Sequence, residues 1–243
     1  MINGLRISTA LALVLVASCG AGDPAERIDT KDRAAIEAIV RDYILKHPEI
    51  IPEAINGMQA RDVSKLLSSN RSEIETAFPG AVAGNPKGDV TLVEFFDYAC
   101  PYCRAGHADV RKLIADDPKL RVVYRDFPVL SEASGEAAMA ALSAASQGKY
   151  LAFHDRMFET PGKVDRERTI AVVRSAGLNE VRTAKDLTSP ALKAEIAKNL
   201  DLGRALGLTG TPTYIVGDRI LSGAVGYAKL AEAIAAARAA KAA

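Results

Sequence analysis

Two cysteines separated by two residues, Cys100-Pro101-Tyr102-Cys103, stand where an apolar run from Val90 to Phe96 gives way to a helix-like segment beginning at about Arg104. That placement constrains the fold, because a thiol pair at a strand-to-helix junction is built for redox chemistry. The thiolate is the species that attacks a disulfide, and the unpaired amides and partial positive charge of a helix N-terminus stabilise negative sulfur there. Cys100 is thus the predicted nucleophile. Cys103, one helical turn on and on the same face, can attack the resulting mixed disulfide and release the partner, so it is the predicted resolving thiol. Pro101 loses nothing in the first turn, where its missing N–H would be an orphan anyway.

The chain has three cysteines, and the third, Cys19, falls in a targeting segment. A structural zinc site usually takes four ligands, and no second C-x-x-C or His cluster completes one. His107, four residues after Cys103, leaves a rival reading open, a Cys100-Cys103-His107 half-site for zinc or copper.

Residues 1–18 carry Arg6, an apolar stretch from Ile7 to Val16 and small residues before Cys19, the pattern of an export signal too short to span a bilayer as a mature helix. Val16-Ala17-Ser18-Cys19 resembles a bacterial lipobox, which makes Cys19 the expected lipid-bearing residue. The alternative is ordinary signal-peptidase cleavage leaving a soluble protein. Gly20 follows in place of Asp, which by the same resemblance would not hold the protein at an inner membrane. Export places the thiol pair in an oxidising compartment, where partner proteins rather than glutathione maintain it.

Removing residues 1–18 takes away Arg6 and no acidic side chain, leaving the charges balanced and without a nucleic-acid signature. A 49% hydrophobic content can fill the core of one large domain, or of one domain with an appendage. Residues 19–29 are small and polar and read as a tether. From 30 to 78 the pattern is helical. Ile36, Ile39, Val40, Tyr43 and Ile44 form one stripe that stops at His47-Pro48, Pro52 can open a second helix carrying Ile55, Met58, Leu66 and Leu67, and Ser72 with Glu75 offers a capping box. Those stripes exceed what a short arm can bury alone and predict a symmetric dimer or trimer, the alternative being an arm folded back on the domain that follows it. Residues 79–89, rich in Pro, Gly and Asn, read as a linker.

The domain predicted for 90–243 opens with a strand at Val90–Phe96, the thiol helix to about Ala115 and a second strand at Arg121–Phe127. This is a βαβ unit with parallel strands and a right-handed crossover. Residues 131–207 give only helix signals and read as a helical insertion. Thr213–Val216 and Ile220–Ser222 flank Gly217-Asp218 as a hairpin, and a closing helix starts at Tyr227.

That order, an α/β arrangement with C-P-Y-C at the first strand-to-helix junction, resembles the thioredoxin fold. The run from Glu94 to Cys103, Tyr124-Arg125-Asp126-Phe127-Pro128, Gln147-Gly148-Lys149-Tyr150 with Phe153-His154, and Gly210-Thr211-Pro212-Thr213 together resemble the DsbA family of periplasmic thiol-disulfide oxidoreductases. The N-terminal helices resemble, more loosely, the oligomerising extension of its ScsC-like and Com1-like members. The resemblance implies that Pro212 is a cis-proline facing the thiols and that Thr211 presents its backbone to a substrate segment. G-T-P-T by itself would equally serve a trans turn.

Glu94 stands in a run otherwise made of Val, Leu, Phe and Thr, where burial makes an ionised carboxylate costly. The resemblance gives it the role of relaying protons to or from Cys103; the plain alternative is an edge glutamate in contact with water. Tyr98 and Tyr102 are read, with Pro101, as shaping an apolar docking surface, and His47 and His154 as structural. The function this predicts is an exported, periplasmic thiol-disulfide oxidoreductase acting on protein substrates through a Cys100/Cys103 dithiol/disulfide. It needs no metal or organic cofactor and exchanges electrons with a membrane redox partner. C-P-Y-C with Thr before the proline resembles isomerase-like members, which ranks isomerase or reductase above oxidase. The rivals from other classes are the copper or zinc module and a surface lipoprotein with a non-catalytic thioredoxin-like scaffold.

Overall fold

The structure, a computed structural model, describes residues 30–242. Cys19, the export segment and the tether lie outside the described residues. Two compact units divide between Asn56 and Gly57.

In the first unit, α1 (Thr30–Lys46) ends at the break before Pro48, and α2 (Ile50–Glu75) begins with Pro52 in its first turn. Ile36, Ile39, Val40, Tyr43, Ile51 and Ile55 are all exposed. α2 continues through Ser72 to Glu75, so the expected capping box does not start a new helix.

The second unit is built on a five-stranded sheet in the order β1-β3-β2-β4-β5, comprising β1 (Val82–Gly84), β2 (Val90–Phe96), β3 (Leu120–Asp126), β4 (Thr213–Val216) and β5 (Arg219–Ser222). β2 and β3 run parallel and every other pairing is antiparallel. The parallel pair is joined by α3 (Pro101–Asp116), as the predicted crossover requires. β2 is buried along its whole length, which explains why its apolar residues do not alternate with polar ones. On one face of the sheet Leu92, Phe96, Tyr124, Tyr214 and Val216 pack with Val110 and Leu113 of α3 and with Leu230 and Ile234 of α9 (Tyr227–Ala242). On the other, Val93, Phe95, Val123 and Ile215 pack with Leu67 and Ile74 of α2 and with Leu202 and Leu206 of α8 (Pro190–Ala205).

The helical insertion consists of α4 (Glu132–Ser146), α5 (Tyr150–Glu159), α6 (Arg166–Ser175), α7 (Glu180–Asp186) and α8. Ser131, Asp165, Asn179 and Ser189 cap α4, α6, α7 and α8 by accepting from the backbone N–H three residues on. The alanines of α4 are small enough for that helix to be buried almost all round.

Two expectations change. Residues 79–89 carry β1, which pairs with β3, and are therefore not a free spacer. Leu67, assigned by its spacing to a separate arm, covers the sheet together with Ile74, so residues 57–78 group with the thioredoxin-like unit.

Candidate active site

Cys100 is the N-cap residue of α3, in extended backbone (φ −78°, ψ 119°), and Pro101 follows in the first turn. The turn feeding it is fixed by Asp97. Its carbonyl accepts from the Cys100 N–H at 3.0 Å. Its carboxylate accepts from the N–H groups of Ala99 at 2.8 Å and of Val129 and Leu130 at 2.9 Å each. A single carboxylate thus ties the redox loop to the loop after β3. Both cysteines are free thiols; Cys100 is 4% exposed and Cys103 fully buried.

The Thr211–Pro212 peptide bond is cis. The Cys100 thiol donates to the Thr211 carbonyl oxygen at 3.2 Å, so the segment entering β4 lies directly against the first sulfur. The Thr213 hydroxyl, donating to Gly210 O at 2.7 Å, and the Gly223 N–H, donating to Pro212 O at 2.8 Å, hold that segment in place.

Below the thiols, Glu94 is 2% exposed and paired in register with Tyr124 on β3 and Tyr214 on β4. Burial pushes its carboxyl up to about 8, opposed in part by the nearby Tyr214 hydroxyl. That hydroxyl is itself buried with no partner in hydrogen-bonding geometry. Burial likewise pushes the Cys103 thiol up; a backbone contact from Asp97 opposes the shift, and the field of Glu94 adds to it. The site therefore holds a carboxyl and a thiol whose burial favours the protonated form of each.

Tyr102 is 64% exposed, as are large parts of Val129 and Leu130 on the loop tied by Asp97. Tyr98 corrects its reading as part of a docking surface. It is buried, and its hydroxyl lies 3.1 Å from Nδ1 of His154. Burial holds His154 well below the usual imidazole range, and the neutral ring packs among Phe96, Tyr124, Tyr150 and Phe158.

His107 does not complete a half-site with the thiols: its Nε2 lies 3.2 Å from the Asp155 carboxylate. Among the described residues no group of three or more His, Cys, Asp or Glu side chains is placed to hold a metal ion. No described helix is long and apolar enough to cross a membrane.

Sequence reasoning missed Asp97 and Tyr214. Asp97 stands inside the motif and was open to reading as a turn residue that accepts from its own backbone. Tyr214 becomes visible only once the β2–β4 register is known.

A thioredoxin fold with a helical insertion, presenting C-P-Y-C at the first strand-to-helix junction opposite a cis-proline, is the architecture of the thiol-disulfide oxidoreductases. Residues 91–235 match the family model described as DSBA-like thioredoxin domain, and the chain belongs to that family. Residues 32–62 match the model described as copper resistance protein ScsC N-terminal domain. A thioredoxin-like oxidoreductase from Silicibacter pomeroyi DSS-3 is 44% identical with a TM-score of 0.63, over 65% of this chain and 91% of that one. The catalytic domain of Proteus mirabilis ScsC is 28% identical with a TM-score of 0.66, over 72% of this chain and 98% of that one. Disulfide bond formation protein D of Bacillus subtilis (strain 168) is 26% identical over 63% of this chain and 74% of its own length. The chain spans about a quarter of the first curated relatives it matches, such as Na(+)/H(+) antiporter NhaA 3 of Salinispora tropica, 28% identical over 66% of this chain and 26% of that protein.

Proposed function

We propose that this protein is an exported thiol-disulfide oxidoreductase that acts on protein substrates, as an isomerase or reductase in preference to an oxidase. The observation that carries the reading is the Cys100 thiol at the N-cap of α3, 3.2 Å from the carbonyl before cis-Pro212, with Cys103 buried one turn further on. In this mechanism a substrate disulfide lies along the Thr211 backbone and the Cys100 thiolate attacks one of its sulfurs. The other substrate sulfur leaves as a thiolate. Cys103 then loses its proton to Glu94 and attacks Cys100 Sγ, which closes the Cys100–Cys103 disulfide and frees the substrate sulfur. Cys103 is shielded from solvent, so resolution depends on a proton acceptor inside the protein; Glu94 serves in its ionised form, whose share grows as pH rises toward about 8. Exposed Tyr102, Val129 and Leu130 offer unfolded substrates apolar contact near the sulfur. C-P-Y-C with Thr211 before the proline, and the ScsC-type match at 32–62, support isomerase or reductase over oxidase. We place the protein in the periplasm, with lipid on Cys19 and a membrane protein as its redox partner.

The test is a trapping pair. Cys100→Ser is expected to abolish turnover of a scrambled disulfide substrate. Cys103→Ser is expected to attack at a near-parental rate and accumulate mixed disulfides, seen as non-reducing gel adducts. Mixed disulfides accumulating with Cys100→Ser and not with Cys103→Ser would reverse the assignment of the two thiols. Parental protein that oxidises reduced substrate but leaves scrambled substrate unchanged would make it an oxidase.

A further inference from the structure

The reading of Glu94 as proton acceptor leaves open how a proton leaves a buried thiol for a carboxyl on the neighbouring sheet, and three independent features converge on one side chain. The first is register. Glu94 and Tyr214 face each other across β2 and β4. Directly opposed residues of an antiparallel pair have Cβ atoms about 4.5–5.5 Å apart. Both lie on the sheet face covered by α3, since Leu92, Phe96, Tyr214 and Val216 share that core with Cys103 and Val110. The second is cost. Tyr214 is fully buried, and its hydroxyl, near enough to Glu94 to oppose the rise of that carboxyl, makes no hydrogen bond of good geometry in this structure, a cost of about 1–3 kcal/mol that phenylalanine would avoid. An orphan of this kind calls for a reason. The third is a slot. Gly106 lies in the interior of α3, where glycine costs about 1 kcal/mol relative to alanine. A Cβ there would come 2.5 Å from the Tyr214 hydroxyl oxygen. Gly106 is three residues after Cys103, so the hydroxyl is lodged against the helix turn that follows the resolving thiol, on its face.

We propose that Tyr214 is the positioning residue of the resolving step: its hydroxyl, admitted by Gly106, orients the Glu94 carboxylate and passes the Cys103 proton to it. The inference rests on Cys103 as resolving thiol and Glu94 as acceptor. The step balances. The Cys103 S–H gives its proton to the Tyr214 oxygen as the Tyr214 O–H gives its own to the Glu94 carboxylate, leaving a Cys103 thiolate and a protonated Glu94. The thiolate attacks Cys100 Sγ, the Cys100–substrate bond breaks, the substrate sulfur departs with the electron pair, and Glu94 later returns its proton to solvent. Burial keeps the Tyr214 hydroxyl protonated across the working pH range, so it transmits a proton and does not serve as the base. The other titratable groups around it are Tyr124, opposite Glu94, and Asp109 on α3.

The test compares resolution with first attack in the full chain. A mixed disulfide is formed on Cys100 with a cysteine peptide, and its closure is followed by rapid quench from pH 6 to 9 in Tyr214→Phe, Gly106→Ala, the double variant and Glu94→Gln. Tyr214→Phe is expected to slow resolution relative to attack by about tenfold or more, and to move the midpoint of its pH profile upward because the Glu94 carboxylate loses a donor. Gly106→Ala is expected to give the same defect by displacing the hydroxyl. In the Tyr214→Phe background Gly106→Ala should add no further slowing, because the clashing oxygen is gone. Tyr214→Phe with parental resolution and an unmoved profile overturns the relay alone if Glu94→Gln is slow. If Glu94→Gln also resolves at the parental rate, the reading of Glu94 falls and the relay with it.

Discussion

Glu94 shows at residue scale how much of the site one side chain controls. In the unfolded chain a glutamate titrates at about 4.3, whereas burial in β2 moves it up to about 8. The folded protein therefore binds an extra proton between those values, and stability falls as pH rises through that window. The contribution is present in full below the unfolded value and is lost by the time pH passes about 8. With ~1.4 kcal/mol per unit, the swing amounts to several kcal/mol. Urea unfolding under reducing conditions is expected to show parental stability falling from pH 5 to pH 8, with Glu94→Gln falling less steeply, buried Asp126 keeping part of the slope, and more stable than the parent at pH 8. Parallel slopes in the two proteins would show that Glu94 stays ionised in the fold. This carboxyl was legible in the sequence because an acidic residue inside an apolar strand must be either an edge position or a perturbed group. Tyr214 was not, since one tyrosine in Thr213–Val216 looks like any strand aromatic until register sets it beside Glu94.

Among the elements, the C-terminal half of α2 depends on Arg125 of β3. The last carbonyls of a helix lack intrahelical partners. Here the Arg125 guanidinium donates to the carbonyls of Glu73, Ile74 and Thr76, while its other nitrogen donates to Asn199 Oδ1 at 2.7 Å. Asn199 in turn donates to Asp126 O at 3.1 Å, which ties α2, β3 and α8 into one buried network. Arg125→Met would orphan those carbonyls and is expected to cost about 3–5 kcal/mol. Hydrogen exchange is the direct check, with amides of 57–75 losing protection before those of β2. Equal loss in both would make the arginine a global stabiliser and not the clasp of α2. The sequence concealed this arrangement for physical reasons. Strand β1 has three residues, too few for a periodic signal, and sits among Pro79, Gly80, Gly84 and Pro86, which read as linker punctuation. Gly84 is there because φ is +70° and any Cβ would meet the Leu120 carbonyl oxygen at 2.4 Å, a close approach of backbones and not a flexible joint. The strand-to-helix junction was legible because its pattern is local, whereas the α2 clasp joins residues about fifty positions apart.

For the whole molecule, the open question is what covers the apolar residues of 30–56. Ile39 is 68% exposed and Tyr43 54%, and with Ile36 and Val40 they line one side of α1; Leu45 and Ile55 are exposed as well. Contiguous exposure of this kind marks an interaction surface, and a chain that presents it identically in every copy can satisfy it by symmetric self-association. An assembly of two or three copies would set several Cys100 sulfurs around one substrate. The effective concentration of a second attack would rise, and repeated shuffling would be favoured over a single exchange. Ile39→Lys with Tyr43→Lys places charge in this surface and leaves the sequence of 57–242 unchanged. Light scattering is expected to give a dimer or trimer for the parent and a monomer for the variant, with the same melting transition for the thioredoxin-like unit. Turnover of scrambled substrate should fall severalfold in the variant while reduction of a small disulfide stays at the parental rate, since only the first reaction needs neighbouring sites. A parent that is monomeric, or a monomeric variant that isomerises as fast as the parent, would separate the N-terminal helices from the chemistry.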